Sequence, residues 1–102
     1  MKACCESYLK EQFSADTEQM DEIYTLYVES ISEKLFEADK AVAEQDWTAL
    51  DHVAHTIKGN ALATGDTDMV NTAIQLRSSA QLHEREQSEE LIVQLKELAK
   101  AL

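Results

Sequence analysis

The chain has 102 residues, of which 20 are acidic and 9 basic, so its formal net charge is −11. That length supports one domain with a single modest core, and the charge disfavours binding to nucleic acid or to anionic membranes, whose phosphates it would repel. Proline is absent and helix-forming residues dominate, so the composition predicts one all-α domain over residues 1–102.

The first two predicted helices are a short one and a long one. A short amphipathic helix over residues 3–12 precedes a long helix that Ser14 or Asp16 caps and that ends near Gln45. Apolar residues of the long helix recur at intervals of three and four, as one buried helix face requires. That face consists of Met20, Ile23, Tyr24, Tyr27, Val28, Ile31, Leu35, Ala38 and Val42.

The third predicted helix begins after Asp46, a typical N-cap residue, and ends near Gly65, a typical C-terminal stop. Its inward stripe is narrow and consists of Trp47, Leu50, Ala54, Ile57 and Ala61. Asp66 or Thr67 caps the fourth helix. The inward positions of the fourth helix are Met69, Ala73, Leu76 and Ala80.

The polar segment 82–87 is predicted to be a loop, and Ser88 is predicted to start the last helix. The core face of that helix consists of Leu91, Leu95, Leu98 and Leu102. Four long amphipathic helices with short connections predict an antiparallel up-down four-helix bundle, with the short N-terminal helix as an addition.

The cysteines and the chain ends point to a protein of the reducing cytoplasm. Cys4 and Cys5 are adjacent, which suits neither a disulfide framework nor, without paired histidines nearby, a zinc site. No apolar run is long enough to span a bilayer, and the N-terminus lacks the apolar region of a signal peptide. The chain begins at Met1 and ends within its last predicted helix, so we expect a stand-alone protein rather than an excised kinase tail.

One of the two glycines lies inside the third predicted helix. A glycine in a helix interior is less favourable than alanine by about 1 kcal/mol, so Gly59 suggests that something approaches the backbone closely there. His55 lies one turn earlier, and the inward stripe leaves its side chain turned toward solvent. Lys58 and Asp51 flank His55 at helical spacing.

The surroundings of His55 in the sequence lack negative charge. Residues 52–65 contain no acidic side chain, although about one residue in five of the chain is acidic. Lys58 is the only basic residue between Lys40 and Arg77. This pattern favours a group with about two negative charges, such as a phosphoryl group. A neutral imidazole, whose ordinary pKa is about 6.5, is a competent nucleophile near neutral pH.

This stretch resembles the signature of histidine-containing phosphotransfer domains. The residues that carry the resemblance are Ala54, His55, Lys58, Gly59, Asn60 and Ala61, with Gly65 closing the helix. Residues 45–47 resemble the turn that leads into the histidine helix of this family, and helix number, order and length agree over most of the chain. The resemblance implies that His55 accepts a phosphoryl group from the aspartate of a response-regulator receiver domain and passes it to a second receiver.

The resemblance also implies roles and partners. Lys58 would steady the phosphoryl oxygens, and Gly59 would leave room for the phosphoryl group and the partner. The partners would be receiver domains and a hybrid sensor histidine kinase. Mg²⁺ would be supplied by the receiver, so we expect no cofactor and no metal in this chain, which would act as a monomer. Leu62, which projects on the side of His55, is either edge packing or a receiver-docking contact.

Arg77 departs from the family pattern. Many members carry a glutamine or glutamate at this place on the neighbouring helix, where it hydrogen-bonds the histidine. An arginine cannot accept a hydrogen bond from the imidazole. Arg77 either contacts a phosphoryl oxygen or points into solvent, and the sequence does not choose between these two placements.

Other functions explain the pattern less well. His55 as an ordinary surface histidine would leave Gly59 unexplained, and a metal site at Asp51, His52 and His55 lacks a fourth convergent ligand. The main alternative is a non-catalytic helical adaptor that binds a receiver or kinase, although the retained histidine, lysine and glycine argue against it. No Gly-rich or Walker-type nucleotide loop occurs, so an ATP-dependent kinase is not expected.

Overall fold

The computed structural model describes residues 1–14 and 16–102, and this part of the chain forms five helices joined by short turns. The helices are α1 (Ala3–Phe13), α2 (Thr17–Ala43), α3 (Trp47–Thr64), α4 (Thr67–Gln81) and α5 (Arg85–Lys100). The predicted all-α fold, with four long helices and a short N-terminal one, is confirmed. None of the described helices is long and apolar enough to cross a membrane.

The four long helices form a closed bundle. α2 packs against α3 and α5, and α4 packs against the other sides of α3 and α5, so each helix has two neighbours. The molecule is 42 Å long, which matches the length of about 40 Å that 27 residues of α2 give at 1.5 Å per residue. The predicted apolar faces meet in the core. Fully buried side chains in it include Ile31, Leu50, Ile57, Leu76 and Leu95.

Five of the residues predicted to be buried lie at the margin of this core. They are partly buried and pack against the core rather than inside it: Ile23, Val28, Trp47, Leu98 and Leu102. Three of them lie in the first or last turns of their helices or just beyond, where fewer neighbouring helices surround a side chain. The other two flank the buried stripe of α2. The helical period therefore identifies the buried direction, whereas the depth of burial depends on the neighbouring helices.

Aspartates fix the starts of three helices. Each carboxylate accepts the backbone N–H of the third residue along, which satisfies an otherwise unpaired helix donor. Asp16 rather than Ser14 caps α2, Asp46 caps α3, and Asp66 rather than Thr67 caps α4. The donors are Gln19, Ala49 and Met69, at 3.2, 3.0 and 3.4 Å.

The start of α5 differs from the prediction. α5 begins at Arg85, so the expectation of a loop over 82–87 is wrong for its last three residues. Those residues are good helix formers, and Arg85 pairs with Glu89 one turn later at 2.9 Å. Ser88 does not cap the helix. It is buried, and its hydroxyl lies 2.7 Å from the hydroxyl of Ser79 on α4.

α1 closes one end of the bundle, over the turn between α3 and α4. Its Cys5 and Leu9 side chains are fully buried. Tyr8 lies against Gly65, which ends α3 with a φ of +77°. A Cβ at residue 65 would collide with the Tyr8 side chain, so both packing and the left-handed backbone conformation require glycine there.

A polar network lies beside α1 at this end. The buried Asp66 carboxylate accepts hydrogen bonds from Lys2 Nζ at 2.8 Å and from the Tyr27 hydroxyl at 2.7 Å. Burial raises the pKa of Tyr27, and its hydrogen bond to Asp66 raises that pKa further. The Tyr24 hydroxyl accepts the Lys2 N–H at 3.0 Å and donates to the Leu102 carbonyl at 3.2 Å. The network thus connects the start of the chain to the bundle and to residue 102.

Candidate functional site

His55 lies near the middle of α3, on the exposed side of that helix. Its neighbours Ala54 and Ile57 point into the core and are fully buried. This is the orientation that the inward stripe of the sequence predicts. Placement in mid-helix holds the backbone of His55 rigid while leaving the imidazole open to another molecule.

Gly59 leaves the backbone bare one turn beyond His55. The residue is exposed, and a Cβ built on it would have no neighbouring atom within 4 Å. Packing within this chain therefore does not require a glycine at that position, in contrast to Gly65. Leu62, 54% exposed, follows on the same side of the helix. We refer to His55, Gly59 and Leu62 together as the exposed face of α3.

Lys58 borders this exposed face and is half-buried. Within residues 1–14 and 16–102, Lys58 and Lys40 have no carboxylate at ion-pair distance, whereas the other seven basic side chains each have at least one. An ammonium group without an internal partner is available to an anion. Lys58 lies three residues after His55, which is within side-chain reach on a helix.

α4 contributes Arg77, which lies between two residues of α3. Its Nε donates to Oδ1 of Asp51 at 2.9 Å, and its Nη1 lies 3.3 Å from Nδ1 of His55. Neither placement considered from the sequence describes this arrangement, because Arg77 bridges a carboxylate and the imidazole. A guanidinium group can only donate, so Nδ1 of His55 is the acceptor of the contact.

Gln81 is a neighbour of the site that the sequence analysis missed. Its Nε2 donates to the same oxygen of Asp51 at 3.3 Å. Gln81 follows Arg77 by four residues, so helical spacing places both on one face of α4. That spacing could have indicated the pair once Arg77 was suspected to face α3.

Asn60 of the motif has a contact within the bundle. Its Nδ2 donates to the Ser30 hydroxyl on α2 at 2.6 Å. The contact links α3 to α2 beside the exposed face. Part of the motif is thus explained by helix packing, whereas the exposure of His55 and Gly59 is not.

Among the residues that the structure describes, the charges around His55 leave one cation without an acidic partner. Asp51 is neutralised by Arg77, and Lys58 has no acidic partner among the described residues. The local charge is therefore positive on a molecule with a formal net charge of −11. In the part of the chain that the structure describes, no three His, Cys, Asp or Glu side chains lie together as a metal site would require.

A model of the Hpt domain matches residues 22–102, and the chain belongs to this family. The matched residues include α3, α4 and α5 and most of α2, whereas α1 lies outside them. Membership gives the chain a general role in histidine phosphotransfer within phosphorelays, in which such domains interact with receiver domains and kinases. Comparison with curated proteins and with solved structures found no match.

Proposed function

We propose that this chain is a phosphorelay intermediate whose acceptor is His55. A receiver domain with a phosphorylated aspartate donates the phosphoryl group, and a second receiver takes it. The observation that carries the proposal is the exposed face of α3, where an accessible imidazole and a bare glycine lie one helical turn apart. Lys58 borders this face and has no acidic partner among the described residues. Receivers and a hybrid sensor histidine kinase are the proposed partners.

The proposed step exchanges one bond to phosphorus for another. A ring nitrogen of neutral His55 attacks phosphorus with its lone pair, and the bond from phosphorus to the aspartate oxygen breaks. The electron pair of that bond stays on the aspartate as carboxylate. Donation to the second receiver reverses these roles, with an aspartate oxygen as the nucleophile and His55 as the leaving group.

Neighbouring residues of α3 support this step. Lys58 offsets the negative charge of the phosphoryl oxygens, and Gly59 leaves space for the phosphoryl group as it arrives. Leu62 supplies an apolar contact to the receiver beyond the reacting groups. The Mg²⁺ of the step belongs to the receiver in this proposal, and this chain needs no cofactor of its own.

A phosphotransfer screen against purified, phosphorylated receivers tests the proposal. The variants are His55→Gln and, as matched control, His52→Gln, which changes an exposed histidine of the same helix without a glycine four residues on. We expect acid-labile label on the wild type and on His52→Gln, and none on His55→Gln. Incubation with labelled ATP and Mg²⁺ but no receiver should leave the chain unlabelled.

Three outcomes would contradict the proposal. Persistent labelling of His55→Gln would move the acceptor elsewhere. Tight binding to receivers without any labelling of the wild type would favour the adaptor function instead. Stoichiometric labelling by ATP alone would show a kinase activity that the proposal does not contain.

A further inference from the structure

The contact between Arg77 and His55 has a consequence for the protons of the imidazole. A neutral imidazole carries one proton, and the nitrogen without it is the acceptor. Arg77 donates to Nδ1 at 3.3 Å, so the neutral ring of His55 carries its proton on Nε2. The nitrogen on the far side of the ring from Arg77 is therefore an N–H group in this arrangement.

In this arrangement neither ring nitrogen of His55 is free to attack phosphorus. The lone pair of Nδ1 points at Arg77, and Nε2 has no lone pair in the ring plane while it holds the proton. Attack through Nε2 requires the proton to lie on Nδ1. An Nδ1–H group and the Arg77 N–H would then face each other as two donors, which is unfavourable. Arg77 must therefore leave Nδ1 before His55 can react through Nε2.

We propose that Arg77 is a positioning residue that holds His55 in a non-reactive resting tautomer and is displaced during each phosphoryl transfer. The inference rests on the proposed function and concerns the regulation of that same site. Asp51 stabilises the resting position, because its Oδ1 accepts the Nε–H of Arg77 at 2.9 Å while Nη1 of Arg77 faces the imidazole. Gln81 supports Asp51 from one turn further along α4.

Arg77 also stabilises the phosphorylated state. When Nε2 bonds to phosphorus, the proton on Nδ1 is released to solvent and Nδ1 regains a lone pair. Arg77 can then donate to Nδ1 again. The bond from phosphorus to Nε2 breaks readily only when Nδ1 is protonated, because a neutral imidazole then leaves. By competing with that proton, Arg77 slows the loss of the phosphoryl group and lengthens its residence on His55.

Other charged groups surround the ring in this scheme. Lys58 lies on α3 beside it, and Asp51 lies one turn before it. α2, which also packs against α3, brings charged side chains to a groove beside His52: Lys34, Glu37, Lys40 and Glu44. All of these remain in the variants below, so a difference between the variants isolates the contribution of Arg77.

The first test reads the tautomer of the unphosphorylated protein by two-bond ¹H–¹⁵N correlation NMR of the His55 ring. The wild type should show the Nε2–H form. Arg77→Gln should show a larger share of the Nδ1–H form, because an amide oxygen can accept the hydrogen bond from Nδ1–H. Arg77→Lys should lose the simultaneous contact with Asp51 and His55. Arg85→Gln, which breaks the exposed ion pair with Glu89 on α5, is the matched control and should resemble the wild type.

The second test measures hydrolysis of phosphorylated His55 against pH. Phosphoramidate supplies the phosphoryl group chemically, with loss of ammonia, so no receiver is needed. Arg77→Gln should shorten the half-life near neutral pH by about two- to fivefold, the range expected for an exposed charged contact. Its acid-catalysed loss should also extend to higher pH, whereas Arg85→Gln should follow the wild-type profile.

The outcomes separate this inference from the proposed function. If phosphoramidate and receivers both fail to label His55, the proposed function fails and the role of Arg77 fails with it. If His55 is labelled but the tautomer or the pH profile is the same in Arg77→Gln as in the wild type, only the role of Arg77 is overturned. Thermal melts of the variants check that each one is folded.

Discussion

Gly59 faces open space within α3, whereas Gly65 ends that helix against the Tyr8 side chain. This contrast gives the first prediction. Gly59→Ala should raise the free energy of unfolding by up to about 1 kcal/mol, because alanine is the better helix former and its Cβ meets open space. Gly65→Ala should lower it by about 2 kcal/mol or more, since it combines a strained φ with a collision against Tyr8. Denaturant unfolding of both variants measures the contrast, and equal effects would contradict it.

A longer side chain at residue 59 separates folding from access. Gly59→Gln should leave the bundle folded, because the position is exposed, but should slow phosphotransfer by covering the exposed face of α3 beside His55. Transfer rates from a phosphorylated receiver measure access to His55, and thermal melts of the same variant measure folding. Transfer at the wild-type rate would contradict the proposed role of Gly59 in leaving space beside His55. Unfolding of Gly59→Gln would show instead that the glycine is needed for packing.

In the turn after α2, a residue other than glycine lies in the left-handed region. Gln45 has a φ of 53°, its N–H bonds to Val42 O at 3.0 Å, and the Asp46 N–H bonds to Ala41 O at 2.9 Å. This pattern of helix termination usually uses glycine. Gln45→Gly should therefore raise the free energy of unfolding by up to about 1 kcal/mol.

Gln75→Gly is the matched control for this change. Gln75 is exposed within α4, where glycine should lower the free energy of unfolding by about 1 kcal/mol. Opposite signs for the two glutamines, measured by urea unfolding, would support the backbone explanation. A loss of stability in both would refute it.

The starts and stops of most helices could be predicted because their determinants are local. An aspartate cap and a left-handed glycine act over three or four residues, so the sequence around Asp46 and Gly65 contains the relevant signals. The start of α5 could not be predicted in this way, because Ser88 has the appearance of a cap. Its hydroxyl instead meets Ser79 of another helix, a contact that depends on how α4 and α5 pack.

Buried groups that keep their protons make the fold of this protein sensitive to alkali. The pKa of Cys5 is raised to about 12, first by burial and then by the charge of Asp66, and burial raises the pKa of Tyr27. In the unfolded chain these groups lose their protons nearer their ordinary values, so the unfolded state binds fewer protons above about pH 9. The free energy of unfolding should therefore fall as pH rises from about 9 toward 12.

Urea unfolding at a series of pH values measures this slope, to which each such group contributes at most about 1.4 kcal/mol per pH unit. Cys5→Ala should flatten the decline between about pH 9 and 10, where the thiol is the first group to respond. Tyr27→Phe should retain the decline there and flatten it at higher pH. A stability that does not change between pH 9 and 11 would contradict the assignment.

Recognition of the site from sequence had a clear physical limit. His55, Lys58 and Gly59 share one helix, so their mutual positions follow from the helical period. The bridge from Arg77 to Asp51 and His55 depends on how α4 is rotated against α3, which is a property of the packed bundle and not of either helix alone. The family resemblance could name Arg77 but could not give its partners.

The two hydrogen bonds of the Tyr24 hydroxyl hold residues 2 and 102 close together. Only its two hydrogen bonds, of 3.0 and 3.2 Å, separate the backbone of residue 2 from that of residue 102. The chain path is therefore almost a closed ring, and a short peptide could join these two residues without moving a helix. A host protein could equally enter and leave the bundle at this one point, so the domain is suited to insertion or circular permutation, with the exposed face of α3 undisturbed.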